Sequence, residues 1–291
     1  MHTGQTIREA FAGASSFLRE RGSDSPEFEA ELLLRRLLGL NRTQLFMKMI
    51  EPFPADVAAQ WSRWLERRAE GEPIQYIVGD QEFYGRVYAV NPSVLIPRPE
   101  TELLVEGVLQ EGKRLFGYEE VRVAEVGTGS GCISISLALE APNWAVTTVD
   151  LSLEALEVAR RNAAFYDVLE RVSFVQGNLV EPLILQKDQF QIFVSNPPYI
   201  SSNEMLALEK QVRAFEPHLA LHGGDDGLDP YRLLCRDLCS WANLRLVAFE
   251  IGASQGPEVE RLVQSIPGIS KTEIRQDYAG LDRMVFGWRQ L

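Results

Sequence analysis

VRVAEVGTGSG, residues 121–131, joins a short apolar run to a cluster of glycines. Val121, Val123, Ala124 and Val126 make the short apolar run that a strand buried on both faces requires. Gly127, Gly129 and Gly131 follow, with Thr128 and Ser130 between them. Glycines there let the chain turn sharply and let a ligand reach the main chain, while the start of the next helix favours a carboxylate or phosphate. A helix is predicted over residues 132–140. Strand, glycine turn and helix form the first part of a βαβ unit, so a parallel sheet is expected.

The same alternation continues outward. Downstream lie AVTTVD (145–150), a helical LEALEVARRNAAFY (153–166), and the strand candidates RVSFVQGN (171–178) and QFQIFVSN (189–196). After a long loop come a helix around PYRLLCRDLCSWA, the strand LRLVAFEIG, the helix PEVERLVQSI, and the terminal strands TEIRQDYA and RMVFGWRQ. Upstream, TELLVEGVLQEGKRLF (101–116) is helical, with Thr101 as a candidate cap. The predicted class is α/β, a doubly wound, mostly parallel sheet with an antiparallel C-terminal strand. Residues 1–72 read as helices only, with Leu32 to Leu34, Trp61 and Trp64 as core, and residues 73–97 as a β-hairpin linker. Three regions are therefore expected: a helical bundle at 1–72, a linker at 73–97 and the α/β domain at 98–291.

The glycine turn narrows the ligand. A dinucleotide fingerprint needs glycine at position 132, where Cys132 stands, and no Gly-Lys-Ser/Thr follows for a P-loop. Asp150 closes the next strand, where an α/β domain offers a carboxylate to ribose hydroxyls. It could equally cap the helix after it. Strand, glycine loop, helix, strand and acid together favour an adenosine compound lacking a pyrophosphate.

SNPPY (195–199) then falls at the carboxyl end of the next central strand, beside that loop. Asn196 precedes a proline, so its backbone is held extended, and neither Pro197 nor Pro198 has an N–H to donate. The segment is a stiff rim of acceptors. A planar NH₂ could donate to the Asn196 side-chain oxygen and to a proline carbonyl, with Tyr199 packed over its face. Such a nitrogen is a poor nucleophile, so holding it in line with an electrophile is the main service a protein can render. An activated methyl on a sulfonium matches it.

These motifs place the chain near a known family. The sequence resembles the S-adenosylmethionine-dependent methyltransferases marked by N-P-P-Y, and within them the HemK/PrmC family, which methylates the glutamine of the Gly-Gly-Gln motif in peptide chain release factors. LIPRPETE (95–102), EVGTGSG (125–131), SNPPYI (195–200), FEPHLAL (215–221), GGDDGLDPYR (223–232) and FEIGASQG (249–256) carry the resemblance, together with the helical N-terminal region. It implies a Rossmann-like methyltransferase domain. Gly127 to Gly131 would bind the methionyl part of the cofactor and Asp150 its ribose. Asn178, through its oxygen, and the Leu179 N–H would meet the adenine. Asn196, Pro197, Pro198 and Tyr199 would hold the glutamine amide, with Asn196 also bordering the cofactor, and S-adenosylhomocysteine would be the product. Two positions depart from the family: Glu125 where Asp is common, and Asn178 where an acid is common. Arg98 and Glu100 either border the site or form a structural ion pair.

Composition bears on the alternatives. The net charge is −12, and residues 1–72 carry 10 Lys and Arg against 11 Asp and Glu, which leaves −11 on residues 73–291. An acidic α/β region opposes the runner-up reading, methylation of a base amine in DNA or RNA, which wants a basic channel. A third reading is a binding protein with a vestigial cofactor site, which the completeness of the motifs opposes. Cys132, Cys235 and Cys239 are too few for a disulfide framework. With no signal-peptide core at the start and no membrane-length apolar window, a cytoplasmic location is expected, and Asn41-Arg42-Thr43 is a chance sequon. The resemblance implies release factors as partners, and nothing in the composition demands more than a monomer. His218 with His222, and Cys235 with Cys239, do not make a zinc site, and Asp225-Asp226 lacks the rest of a calcium loop.

Overall fold

A computed structural model of the protein describes residues 4–289. The chain divides into two compact units: residues up to Asp80 together with Lys210–Phe215, and Gln81–Glu209 together with Glu216–Leu291.

The first unit is helical: α1 (Ile7–Glu20), α2 (Pro26–Leu38), α3 (Arg42–Met47), α4 (Ala58–Ala69) and α5 (Ile74–Val78). Each boundary has a local cause. Thr6 and Glu9 form a reciprocal capping box at α1, while α2 starts on Pro26 and ends at the left-handed Gly39. Ile7, Ala10, Ala14 and Leu18 recur at helical spacing and bury against Leu33, Leu34 and Trp61.

In the second unit, β1 (Asp80–Phe83) and β2 (Arg86–Ala89) pair as a two-stranded sheet. There follow α6 (Pro99–Phe116), β3 (Val121–Val126), α7 (Cys132–Glu140), β4 (Trp144–Asp150), α8 (Leu153–Phe165), β5 (Val172–Gln176) and β6 (Ile192–Ser195). The short α9 (Ser202–Ala207), and then α10 (Lys210–Phe215), which belongs to the first unit, lead to α11 (Asp229–Leu238), β7 (Leu246–Glu250), α12 (Gly256–Gln264), β8 (Ile269–Gln276) and β9 (Asp282–Arg289). Seven strands form one sheet in the order β5-β4-β3-β6-β7-β9-β8. The first five are parallel, and β9 runs antiparallel to both its neighbours.

Alternation along the strands explains the layering. Val123, Ile192, Val194, Leu246 and Ala248 face a core built with Leu104 and Val108 of α6 and Ile135 of α7. Their neighbours Ala124, Phe193, Val247 and Phe249 face a second core with Leu234 of α11 and Val263 of α12. A sheet covered on both faces has only its strand ends open to ligands.

Two expectations need correction. Residues 73–97 are not all hairpin, because Ile74–Val78 is helical and falls in the helical unit, and only β1 and β2 pair. Thr101 is no cap. Pro99, with its fixed φ and no N–H, suits the first turn of α6, and Thr101 lies buried inside the helix.

Candidate active site

Register brings the chemistry together. Val126 at the end of β3 pairs with Val149 of β4 and Ser195 of β6, and Ser195 pairs with Phe249 of β7. Gly127, Asp150, Asn196 and Glu250, each one residue further, are thus neighbours at the carboxyl edge. Strand order reverses between β3 and β6, and there a cleft of about 410 Å³ opens, with Gly127 to Ser130, Asp150, Asn178, Leu179, Asn196 and Pro198 among its walls.

On one wall the glycine turn is left-handed at Gly127 (φ 87°) and Gly131 (φ 81°). A Cβ on Gly131 would meet Ile135 and Ala159 at 2.9 and 3.1 Å, so only glycine lets α7 and α8 close behind the loop. The Thr128 and Thr148 hydroxyls share a hydrogen bond of 2.7 Å, and the Asn162 amide donates to the Ser130 carbonyl at 2.8 Å. Gly129 N–H donates to one Asp150 carboxylate oxygen and Ser152 N–H to the other, both at 2.9 Å. Asp150 therefore ties the loop to the start of α8, but the residue that caps α8 is Ser152. Further along, Leu179 holds a left-handed backbone (φ 49°), and Asn178 donates its NH₂ to Glu181 at 3.1 Å, which leaves the Asn178 oxygen as an acceptor. Leu151, exposed by 53%, adds an apolar face.

The opposite wall is Asn196 and Pro198, with Arg98, Thr101 and Pro217. Pro197 is buried and the Tyr199 ring packs against the core, so neither walls the cleft. Burial pushes the Tyr199 phenol up to about 12, which keeps it neutral. Behind the segment, Gln255 donates to the carbonyls of Tyr199 (3.0 Å) and Gly227 (3.2 Å). A Cβ on Gly223 would stand 2.7 Å from the Pro198 oxygen, so the 223–227 turn lies directly against the segment. Neither proline carbonyl accepts a backbone hydrogen bond among the described residues.

Arg98 both lines the cleft and forms an ion pair of 2.5 Å with the buried Glu216, whereas Glu100 is not part of the wall. Glu216, Glu250 and Gln255 lie in segments that carry the resemblance but had no role expected of them, and Thr101 was expected only as a helix cap. The Asn196 NH₂ donates to Thr101 Oγ1 at 3.2 Å, and the Thr101 hydroxyl donates to Glu250 at 2.6 Å. Three buried groups are shifted by burial: Cys132 to about 12, Glu125 to about 8 and Glu250 to about 7. Cys132 is thus a neutral thiol, unsuited to be a nucleophile. Among the described residues no group of three His, Cys, Asp or Glu side chains could hold a metal ion, and no helix is long and apolar enough to cross a membrane.

Comparisons with known proteins bear on the family. Residues 9–79 match the family model described as the PrmC N-terminal domain, and residues 99–223 match the methyltransferase small domain. A release factor glutamine methyltransferase of Bacillus anthracis is 44% identical, covering 96% of this chain and 98% of its own. That of Bacillus subtilis is 42% identical, covering 97% of each. The solved structure of the hMettl16 catalytic domain in complex with MAT2A 3'UTR hairpin 6 aligns with a TM-score of 0.54 over 81% of this chain and 93% of that one, at 15% identity, and so shares the fold. With near full-length identity above 40%, a methyltransferase fold and a cleft at the strand ends, the chain belongs to the release factor glutamine methyltransferase family.

Proposed function

We propose that this methyltransferase moves the methyl group of S-adenosylmethionine to the side-chain amide nitrogen of the glutamine in the Gly-Gly-Gln motif of peptide chain release factors. The observation that carries the proposal is the meeting, in one cleft, of a left-handed glycine turn with Asp150 on one wall and the Asn196 amide on the other. The cofactor fits the residues present. Asp150 keeps acceptor capacity for ribose hydroxyls, Asn178 and Leu179 offer an acceptor and an N–H for adenine, and Leu151 offers apolar surface. Among the described residues Arg98 is the one cationic side chain in the wall, and Glu216 engages it, which suits a sulfonium and not a pyrophosphate. The cofactor supplies an activated methyl.

This chain's part is to hold the nitrogen. We assign the Asn196 oxygen as acceptor for one amide hydrogen and a carbonyl of the proline pair for the other, with Pro198 setting the wall and Tyr199 anchoring the segment from the core side. Two accepted hydrogens would push electron density onto the nitrogen as positive charge develops there, and the bound cofactor would supply the methyl, with S-adenosylhomocysteine as product and one amide proton lost to water. The helical unit is assigned to recognising the substrate protein. The enzyme would work in the cytoplasm, and one copy suffices for this chemistry.

Labelled S-adenosylmethionine tests the reading with three acceptors: a release factor, its Gln-to-Ala variant, and nucleic acid. Label on the release factor alone is expected. Label on DNA or RNA, or equal label on the variant, would show that the nitrogen is not the glutamine's.

A further inference from the structure

The cleft has an outer layer of polar groups that the transfer itself does not use. Glu250 ends β7, is 1% exposed, and sits beside Asn196 because Ser195 and Phe249 are register partners. Its own backbone is fixed, since the buried Tyr231 hydroxyl donates to the Glu250 carbonyl at 2.7 Å. Its carboxylate accepts from Thr101 at 2.6 Å, and the Asn196 amide also favours its ionised form.

We propose that Glu250 and Thr101 are positioning residues that fix the polarity of the Asn196 amide, turning its NH₂ inward and its oxygen to the substrate. This rests on the glutamine reading above. An ionised carboxylate only accepts, and the Thr101 proton is given to it, so Thr101 presents only lone pairs to Asn196. The Asn196 atom that faces this pair must therefore be the nitrogen. Reversed, the amide would aim its own hydrogens at the hydrogens of the incoming amide, and the substrate nitrogen would lose an acceptor.

The arrangement depends on ionisation. Burial raises the Glu250 carboxyl to about 7, against Thr101, Arg283 and Asn196, which lower it, while the Glu100 carboxylate raises it further. Tyr199, Tyr231 and Cys132 face it as neutral groups, each pushed up by its own burial. Above that range Glu250 is an acceptor and the amide is locked. Below it Glu250 gains an O–H, Thr101 is free to turn, and the lock is released. Turnover should therefore rise with pH through about 7.

The test uses the full chain with Glu250→Gln, Thr101→Val and Thr101→Ser, assayed on a release factor. Glu250→Gln and Thr101→Val should lower kcat on the order of 100-fold by misplacing the nitrogen, with the Kd for S-adenosylmethionine and the Tm little changed. Thr101→Ser should restore turnover, and Glu250→Gln should lose the rise near pH 7. Independently of turnover, the Asn196 side-chain amide signals in ¹⁵N NMR, assigned with Asn196→Ala, should titrate near pH 7 in the native chain and not in Glu250→Gln. A native-like kcat and pH profile in Glu250→Gln, or loss of folding and cofactor binding in step with activity in both Glu250→Gln and Thr101→Val, overturns the inference. If the native chain leaves glutamine unmodified, the proposed reaction fails, and the NMR titration still decides whether Glu250 governs the amide.

Discussion

Glu125 is a fully buried carboxyl whose oxygens make no hydrogen bond of normal geometry among the described residues, although Thr148 and Ser134 restrain its shift. Its raised pKa, about 8, means that the folded chain keeps a proton that the unfolded chain gives up above the ordinary carboxylate range. Stability must therefore fall as pH rises through that window. Glutamine does not ionise, so the stability advantage of Glu125→Gln over the native chain should grow by roughly 3 kcal/mol from about pH 5 to about pH 7.5. Denaturant unfolding at the two pH values measures it, and an advantage that stays constant refutes it. Asn196→Ala should abolish transfer while cofactor affinity, measured by calorimetry, stays within a few-fold. Asn196 was legible in the sequence because a proline pair stiffens its backbone and a glycine loop sits upstream. Glu250 was not, because its partners are 149 residues away at Thr101 and across a strand at Asn196, and no local pattern encodes a register.

Among the elements, α6 shows how sterics overrule propensity. A Cβ on Gly112 would stand 2.2 and 2.4 Å from Cη2 and Cζ2 of Trp144, a buried ring at the start of β4. Alanine gains about 1 kcal/mol in helix propensity. Overpacking a closed core costs about 1–3 kcal/mol, and a contact this short belongs at the upper end. Gly112→Ala should thus lower stability by about 1–2 kcal/mol, and a Tm that rises instead would mean that Trp144 swings away freely. The 223–227 turn offers a functional counterpart. Gly223→Ala would press on the Pro198 oxygen, the Gly227 oxygen and the Tyr199 Cα, all backbone, so the substrate rim must move. A kcat loss on the order of 100-fold with unchanged cofactor Kd is expected in steady-state and binding assays. Element limits were readable where periodicity and punctuation agree, as in α7, which spans Cys132–Glu140 as predicted. They failed at α5, whose β-branched PIQYIV reads as strand but closes as helix at the left-handed Gly79.

Over the whole molecule the charge is divided, with −11 of −12 on residues 73–291. A basic face on the protein substrate would be drawn to such a surface, and salt screens that attraction beyond a Debye length of about 10 Å at 0.1 M. Raising salt should lower kcat/KM on a complete release factor while leaving the rate on a short, uncharged Gly-Gly-Gln peptide almost level. Steady-state rates across a salt series decide this, and parallel losses on both acceptors would place the effect in the cleft instead. The class of fold was legible because its strands are buried on both faces and punctuated by glycine. The division into units was not, since it depends on where residues 210–215 fold.

Those six residues, Lys210–Phe215, belong to the helical unit although they are encoded between Asn196 and the later strands. The chain therefore crosses between the units at three peptide bonds. A single cut after Asp80 would free the first fragment, yet the second would carry a splinter of the first one's fold. The first unit would be completed only by residues that the second fragment carries, so mixing two separately made halves offers a route to a reassembled, non-covalent enzyme.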